Sequence, residues 1–167
     1  MSAPGSTVRE SSTVATAEDM RSLGVRIGSG ARPGDLVVLT GPLGAGKTVV
    51  AQGIGAGLGV AGPVTSPTFV VARIHRDGRL PMVHVDAYRL GGVAEVDDLD
   101  LDTLTEESVT VVEWGGGLVE RLSDSHLRVD IARRDDDVRE VVVEGVGPRW
   151  TAEEVAVIAG RDGAASA

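Results

Sequence analysis

The chain has 167 residues, 42% of them hydrophobic, enough for one α/β domain with a sizeable core. Acidic side chains outnumber basic ones 25 to 16, a net charge of −9, so no general field draws DNA or RNA to the surface and stable nucleic-acid binding by this chain alone is disfavoured. The absence of cysteine excludes disulfides, thiolate catalysis and cysteine-based zinc sites, and no stretch approaches the roughly 18 uninterrupted apolar residues of a membrane span.

Residues 1–14 are small, polar and without period, which predicts a disordered leader. They also lack the apolar core of a secretory signal, so the expected setting is the cytoplasm. A single domain is expected over 15–160, with a flexible small-residue tail over 161–167. Thr16 is placed to cap a first helix in which Met20, Leu23 and Ile27 recur at helical spacing, until Gly28, Gly30 and Pro33 end the pattern. "DLVVLTG" reads as a buried strand. It leads through a glycine-rich turn into "KTVVAQGIGAGLG", where Val50, Ile54 and Leu58 share one helical face although four glycines weaken the helix.

"TFVVARIHRDGRLPMVHVDAYRL" predicts two strands joined at Asp77-Gly78, a pair that favours a type I′ turn, with Pro81 at a ragged strand start or on an edge. "VAEVDDLDLDTL" is an acidic, helical-looking segment, and "SVTVVEW" is a buried strand that stops at a carboxylate. "HLRVDIA" and "REVVVEG" flank the charged turn "RRDDD", and "TAEEVAVIAG" ends the pattern as a last helix. Because βα steps mix with antiparallel hairpins, the predicted architecture is α/β, in three layers around a mixed parallel/antiparallel sheet.

Gly41, Gly46, Lys47 and Thr48 satisfy G-x-x-x-x-G-K-[ST], the phosphate-binding P-loop, between a predicted strand and a predicted helix. The loop must turn backbone N–H groups inward with no side chains in the way, so small residues suit Gly41, Gly44, Ala45 and Gly46. The helix that follows aims its unpaired N–H groups and positive dipole end at the same anion. Lys47 is the only lysine in the chain. Its thin stem and point charge can arch over the loop to the β- and γ-phosphates, where the planar fork of an arginine would be too wide. Thr48 offers a hydroxyl to Mg²⁺, whose shell is completed by phosphate and water.

Turnover also needs an acidic group near the metal and a sensor of the γ-phosphate. Glu113, at the carboxyl end of a predicted central strand, lies where α/β sheets bind ligands, although strands also end on ordinary acids. Asp86 ends the second hairpin strand and could hold the metal through water or orient the attacking water. Ser66 and Thr68 in "TSPTF" are within reach of the site, but Ser-Pro-Thr is also common turn chemistry. Tyr88 and Arg89 read equally as positioning groups or as a core ring with a surface charge. His75 and His84 have no metal-ligand spacing, and each reads as packed or solvated.

In this order "GPLGAGKT", "TSPTF", "HVDAYRL" and "VVEW" resemble the TsaE family, formerly the YjeE family, over about residues 16 to 145. These are small bacterial P-loop ATPases of tRNA threonylcarbamoyladenosine biosynthesis. The resemblance implies a three-layer P-loop NTPase fold that uses ATP and Mg²⁺. It puts Lys47 on the phosphates, Thr48 and Glu113 on Mg²⁺, Ser66 and Thr68 in a switch-like loop, Asp86 near the attacking water and Trp114 beside the nucleotide. It implies an accessory ATPase, weak alone, supporting TsaD with TsaB, the complex that modifies adenosine 37, so that tRNA is met only through those partners. Where the family commonly places a Thr near the base, this chain has Met20. Two other classes stay open: a small P-loop phosphotransferase, and a nucleotide-dependent switch that does not hydrolyse.

Overall fold

The computed structural model describes residues 7–42, 45–61, 72–86, 106–113, 125–134 and 138–160, with Ala72 and Asp86 given by backbone alone. Seven strands form one mixed sheet: β1 (Thr7–Val14), β2 (Leu36–Thr40), β3 (Ala72–His75), β4 (Met82–Asp86), β5 (Val109–Glu113), β6 (His126–Arg133) and β7 (Arg139–Val146), in the spatial order β1-β7-β6-β2-β5-β4-β3. The centre is parallel, β6-β2-β5-β4, while β1-β7, β7-β6 and β4-β3 are antiparallel. The expected mixed sheet is therefore present.

Helices α1 (Ala17–Ser29), α2 (Lys47–Leu58) and α3 (Ala152–Ile158) contribute to one core with Val37, Leu39, Val109, Val111, Leu127, Val129, Val141 and Val143 of the sheet. The alternate residues Leu36, Val38, Val83, Val85, Thr110 and Val112 are also buried. Since neighbouring strand residues point to opposite faces, the centre of the sheet is covered on both sides, which is why β2 and β5 are apolar almost without alternation.

Local chemistry explains the helix boundaries. Thr16 caps α1 by accepting a hydrogen bond from the Asp19 backbone N–H at 3.0 Å, and Glu18 and Asp19 favour the positive end of the helix dipole. The glycines that weaken α2 in isolation are what seat it. A Cβ at Gly24 would stand 2.2 Å from Val50 O, at Gly28 2.3 Å from Ile54 O, at Gly53 2.1 Å from Arg21 O and at Gly57 2.5 Å from Val25 O. The two helix backbones touch along this seam, so packing outweighs intrinsic propensity.

Two expectations are corrected. Residues 7–14, assigned to a disordered leader, form β1, which pairs with β7 from Thr7↔Val146 to Val14↔Arg139. A polar strand with only every second residue half-buried suits a sheet edge, and it lacks the apolar period that would reveal it. The β3–β4 hairpin exists, but its strands close at His75↔Met82, and Gly78 does not take the positive φ of a type I′ turn. A Cβ on Gly78 would lie 2.7 Å from Leu58 O, so close packing on the end of α2 explains this glycine. Pro81 immediately precedes β4 and its carbonyl accepts from Val109 N. The acidic segment 95–102 and the tail 161–167 lie outside the described residues.

Residues after 145 join the domain through Arg149. Its Nε and Nη2 donate to the Asp35 oxygens at 2.8 and 2.9 Å, and Nη1 donates to Glu154 Oε2 at 2.8 Å. The guanidinium also lies 4.0 Å from the ring centroid of the buried Trp150. Burial alone would raise the Glu154 carboxyl, but the Arg149 hydrogen bond and charge, with the Thr151 hydroxyl, hold it below its ordinary value.

Gly53→Ala should destabilise the domain by about 1–3 kcal/mol because backbone stands in the way of the new methyl group. Gly30→Ala, with only Arg26 O at 3.7 Å, should be near neutral, and urea unfolding of the two variants checks the contrast. Arg149→Met should cost about 3 kcal/mol by leaving the buried Asp35 carboxylate without its charge partner. Because the Glu154 pKa is depressed on folding, its share of the α3 attachment is complete above the ordinary value of 4.5 and is lost as pH falls through the depressed one. Amide exchange of α3 across that range reads this loss.

Candidate functional site

Strand β2 leaves the sheet at Thr40, whose hydroxyl donates to Asp130 Oδ1, an oxygen that also accepts from Arg128 Nε at 3.0 Å. Gly41 follows with φ 149°, and a Cβ there would be 2.6 Å from Ile131 O. The buried Ala45 donates its N–H to Pro42 O at 3.1 Å, and Gly46 takes a left-handed conformation, φ 113°, at the head of α2. Both glycines occupy backbone that a side chain would strain. No side chain caps α2, so its first-turn N–H groups and positive dipole end face the loop.

Lys47 is only 5% exposed. Its Nζ donates to Gly41 O at 2.7 Å and to Pro42 O at 2.9 Å, which holds the ammonium across the mouth of the loop. On the other side, Arg139 at the start of β7 donates Nε to Ala45 O at 3.0 Å. A cavity of about 170 Å³ adjoins this point, lined by Thr16, Met20, Gly46, Val49 and Arg139 among others. Apolar walls with a hydroxyl and a guanidinium suit a planar heterocycle with polar edges. A larger cavity, about 460 Å³, lies over β1 and β7 near Gly160 and includes no residue of the loop, so size alone does not mark this site.

Glu113 ends β5, the parallel neighbour of β2, in register with Leu39 two positions before Gly41. It is 4% exposed, and its Oε2 lies 2.5 Å from Nε2 of the fully buried His84 on β4. Asp86 is the last residue of β4 and stands in register with Glu113. The carboxyl ends of β2, β5 and β4 thus bring the P-loop, Glu113 and the Asp86 backbone to one edge of the sheet, where parallel α/β sheets form their ligand crevices.

Thr48 in the first turn of α2 and Glu113 are hard oxygen donors of the type that Mg²⁺ prefers. No group of three His, Asp or Glu side chains converges among the described residues. Beside a nucleotide Mg²⁺ usually takes one or two protein oxygens, with phosphate and water supplying the rest.

Of the residues singled out in the sequence, Gly41 follows β2, Ala45, Gly46, Lys47 and Thr48 lead into and begin α2, and Glu113 ends the strand beside β2. Gly44, Ser66, Thr68, Tyr88, Arg89 and Trp114 lie outside the described residues. Sequence reasoning passed over two residues. His84 reads locally as a packed or solvated strand histidine, and its place two residues before Asp86 was the available signal. Arg139 carries none, because its contact with Ala45 spans 94 positions.

Lys47→Ala should lower affinity for a nucleoside triphosphate at least about 100-fold, as no other described cation donates to these loop carbonyls and a lost charge-assisted contact costs up to about 3 kcal/mol. Equilibrium titration measures it.

A family model described as "Threonylcarbamoyl adenosine biosynthesis protein TsaE" matches residues 14–141. The tRNA threonylcarbamoyladenosine biosynthesis protein TsaE of Streptomyces coelicolor is 55% identical, over 84% of this chain and 100% of that one. Its counterpart in Bacillus subtilis is 38% identical, over 80% and 84%. Among solved structures, that of Bacillus subtilis YdiB superposes with a TM-score of 0.75 at 30% identity, covering 93% of this chain and 97% of that one. With a mixed P-loop sheet built around Lys47 and Glu113, and a family match across most of its length, the chain belongs to the TsaE family of threonylcarbamoyl adenosine biosynthesis proteins.

Proposed function

We propose that this protein is an accessory ATPase, slow by itself, that binds and hydrolyses Mg·ATP to support the partner complex, TsaD with TsaB, that installs threonylcarbamoyl on adenosine 37 of tRNA. The observation that carries the reading is the Lys47 ammonium held across a loop that opens onto the N-terminus of α2, with Glu113 ending the next strand. In this reading Lys47 and the backbone N–H groups neutralise the β- and γ-phosphates, and Thr48 and Glu113 hold Mg²⁺. Held there, Mg²⁺ would supply positive charge to offset that of the phosphate oxygens. Asp86 orients the attacking water, Ser66 and Thr68 sense the γ-phosphate, and Trp114 lies beside the nucleotide.

Charge supports the division of labour. A chain of net charge −9 is poorly suited to grip tRNA, and the proposed partners remove that need. Among the described residues no helix is long and apolar enough to cross a membrane, and we place this activity in the cytoplasm.

Phosphate release from Mg·ATP should rise when a reconstituted TsaD and TsaB pair is added. Indifference to the pair would reject the accessory role and point to a phosphotransferase with its own small acceptor. Glu113→Gln should bind ATP but turn over at least about 100-fold more slowly, the usual loss when one charge-stabilising group leaves a site. Single-turnover assays read that loss, and wild-type turnover would remove Glu113 from the metal shell.

A further inference from the structure

Among the described residues the His84 side chain makes one hydrogen bond, to the carboxylate at the end of the neighbouring strand. Its side chain is 0% exposed and Glu113 is 5% exposed, with Nε2 to Oε2 at 2.5 Å. The parallel register sets His84 beside Val111, so the imidazole reaches diagonally along β5 to Glu113 two residues on. Nδ1 is buried and has no hydrogen-bond partner among the described residues. Contact with a carboxylate oxygen requires a proton on Nε2, whereas a second proton on Nδ1 would be a buried donor with no acceptor among them. The geometry therefore suits Nε2–H as the donor to Glu113.

For a residue that only fills space this choice is costly, since an apolar side chain at the same depth would leave no bare ring nitrogen. The imidazole is explained by what it holds. Glu113 Oε2 accepts from His84, while Oε1 makes no hydrogen bond to the described residues. We propose that His84 is a positioning residue that fixes the Glu113 carboxylate through Nε2–H and leaves its other oxygen for the divalent cation of the nucleotide complex. This rests on the reading of Glu113 as a metal ligand. His84 touches neither substrate nor metal, and acts as outer-shell partners do by orienting the ligand.

The test uses the full chain, ADP as nucleotide and calorimetry, reading the Mg²⁺ concentration that half-saturates the metal-dependent gain in ADP binding. His84→Met should raise that concentration about 10–100-fold, the usual loss for an outer-shell partner, with ADP affinity in the absence of Mg²⁺ unchanged. His84→Gln places an amide N–H near the former Nε2 and should recover most of the loss. A wild-type Mg²⁺ requirement in His84→Met, or a His84→Gln no better than His84→Met, overturns the inference. Glu113→Gln separates the two readings: if it leaves the Mg²⁺ requirement unchanged, the assignment of Glu113 falls and this proposal with it. If Glu113→Gln raises the requirement and His84→Met does not, only the role of His84 falls.

Imidazole ¹⁵N spectra of the wild-type protein give a readout that no folding defect can confuse. They should show His84 protonated on Nε2, with a signal that moves when Mg²⁺ is added to the ADP complex. A signal that stays put overturns the proposal.

Discussion

The backbones of α1 and α2 touch, and the phosphate loop takes its position from that contact. Gly24 and Gly28 on one helix meet Gly53 and Gly57 on the other so closely that any Cβ would run into main-chain atoms. Glycine in a helix costs about 1 kcal/mol relative to alanine, and α2 carries several. What they allow is a short distance between helix axes, which presses α2 against α1 and the sheet and leaves its first turn at the end of β2. Lys47, Thr48 and the unpaired N–H groups all sit in that turn, so helix packing some two turns away sets where charge is offered to a ligand.

Charge is managed pairwise in an acidic chain. Each of the two carboxylates buried among the described residues, Asp35 and Glu113, has a nitrogen partner from another element: Arg149 grips Asp35 with two parallel bonds, and His84 meets Glu113 with one. The difference in partner matches the difference in place. Asp35 lies in the turn before β2 and is bound on both oxygens, a closed pair that ties the end of the chain to the start of the central strand. Glu113 lies at the ligand edge of the sheet with an imidazole on one oxygen, and its other oxygen makes no hydrogen bond to the described residues.

The sequence legibly carried the parts whose cause is local. The Thr16 cap, the apolar run of β2, the P-loop between a strand and a helix, the carboxylate ending β5 and the last helix are each written within a few residues, because helix caps, hydrophobic periodicity and loop glycines act at that range. Motif order carried the family as well, since four short segments in sequence are far more specific than a P-loop alone. The same local reading misplaced residues 7–14, because an edge strand of alternating polar residues resembles an unstructured one until β7 lies beside it. It also read Asp77-Gly78 as a tight turn, where Gly78 is needed instead for contact with the end of α2.

By itself the sequence determined the types of the described elements after β1, the P-loop motif of residues 41–48 and the carboxylate at the end of β5. Tertiary structure alone decided which groups meet. The His84–Glu113 bond spans 29 positions, Arg139 to Ala45 spans 94 and Arg149 to Asp35 spans 114, and none has a signature in the residues between. The physical reason is strand register and helix seating. Both are fixed by packing summed over the whole core, so a side chain's partner across the sheet depends on how every neighbouring element has come to rest.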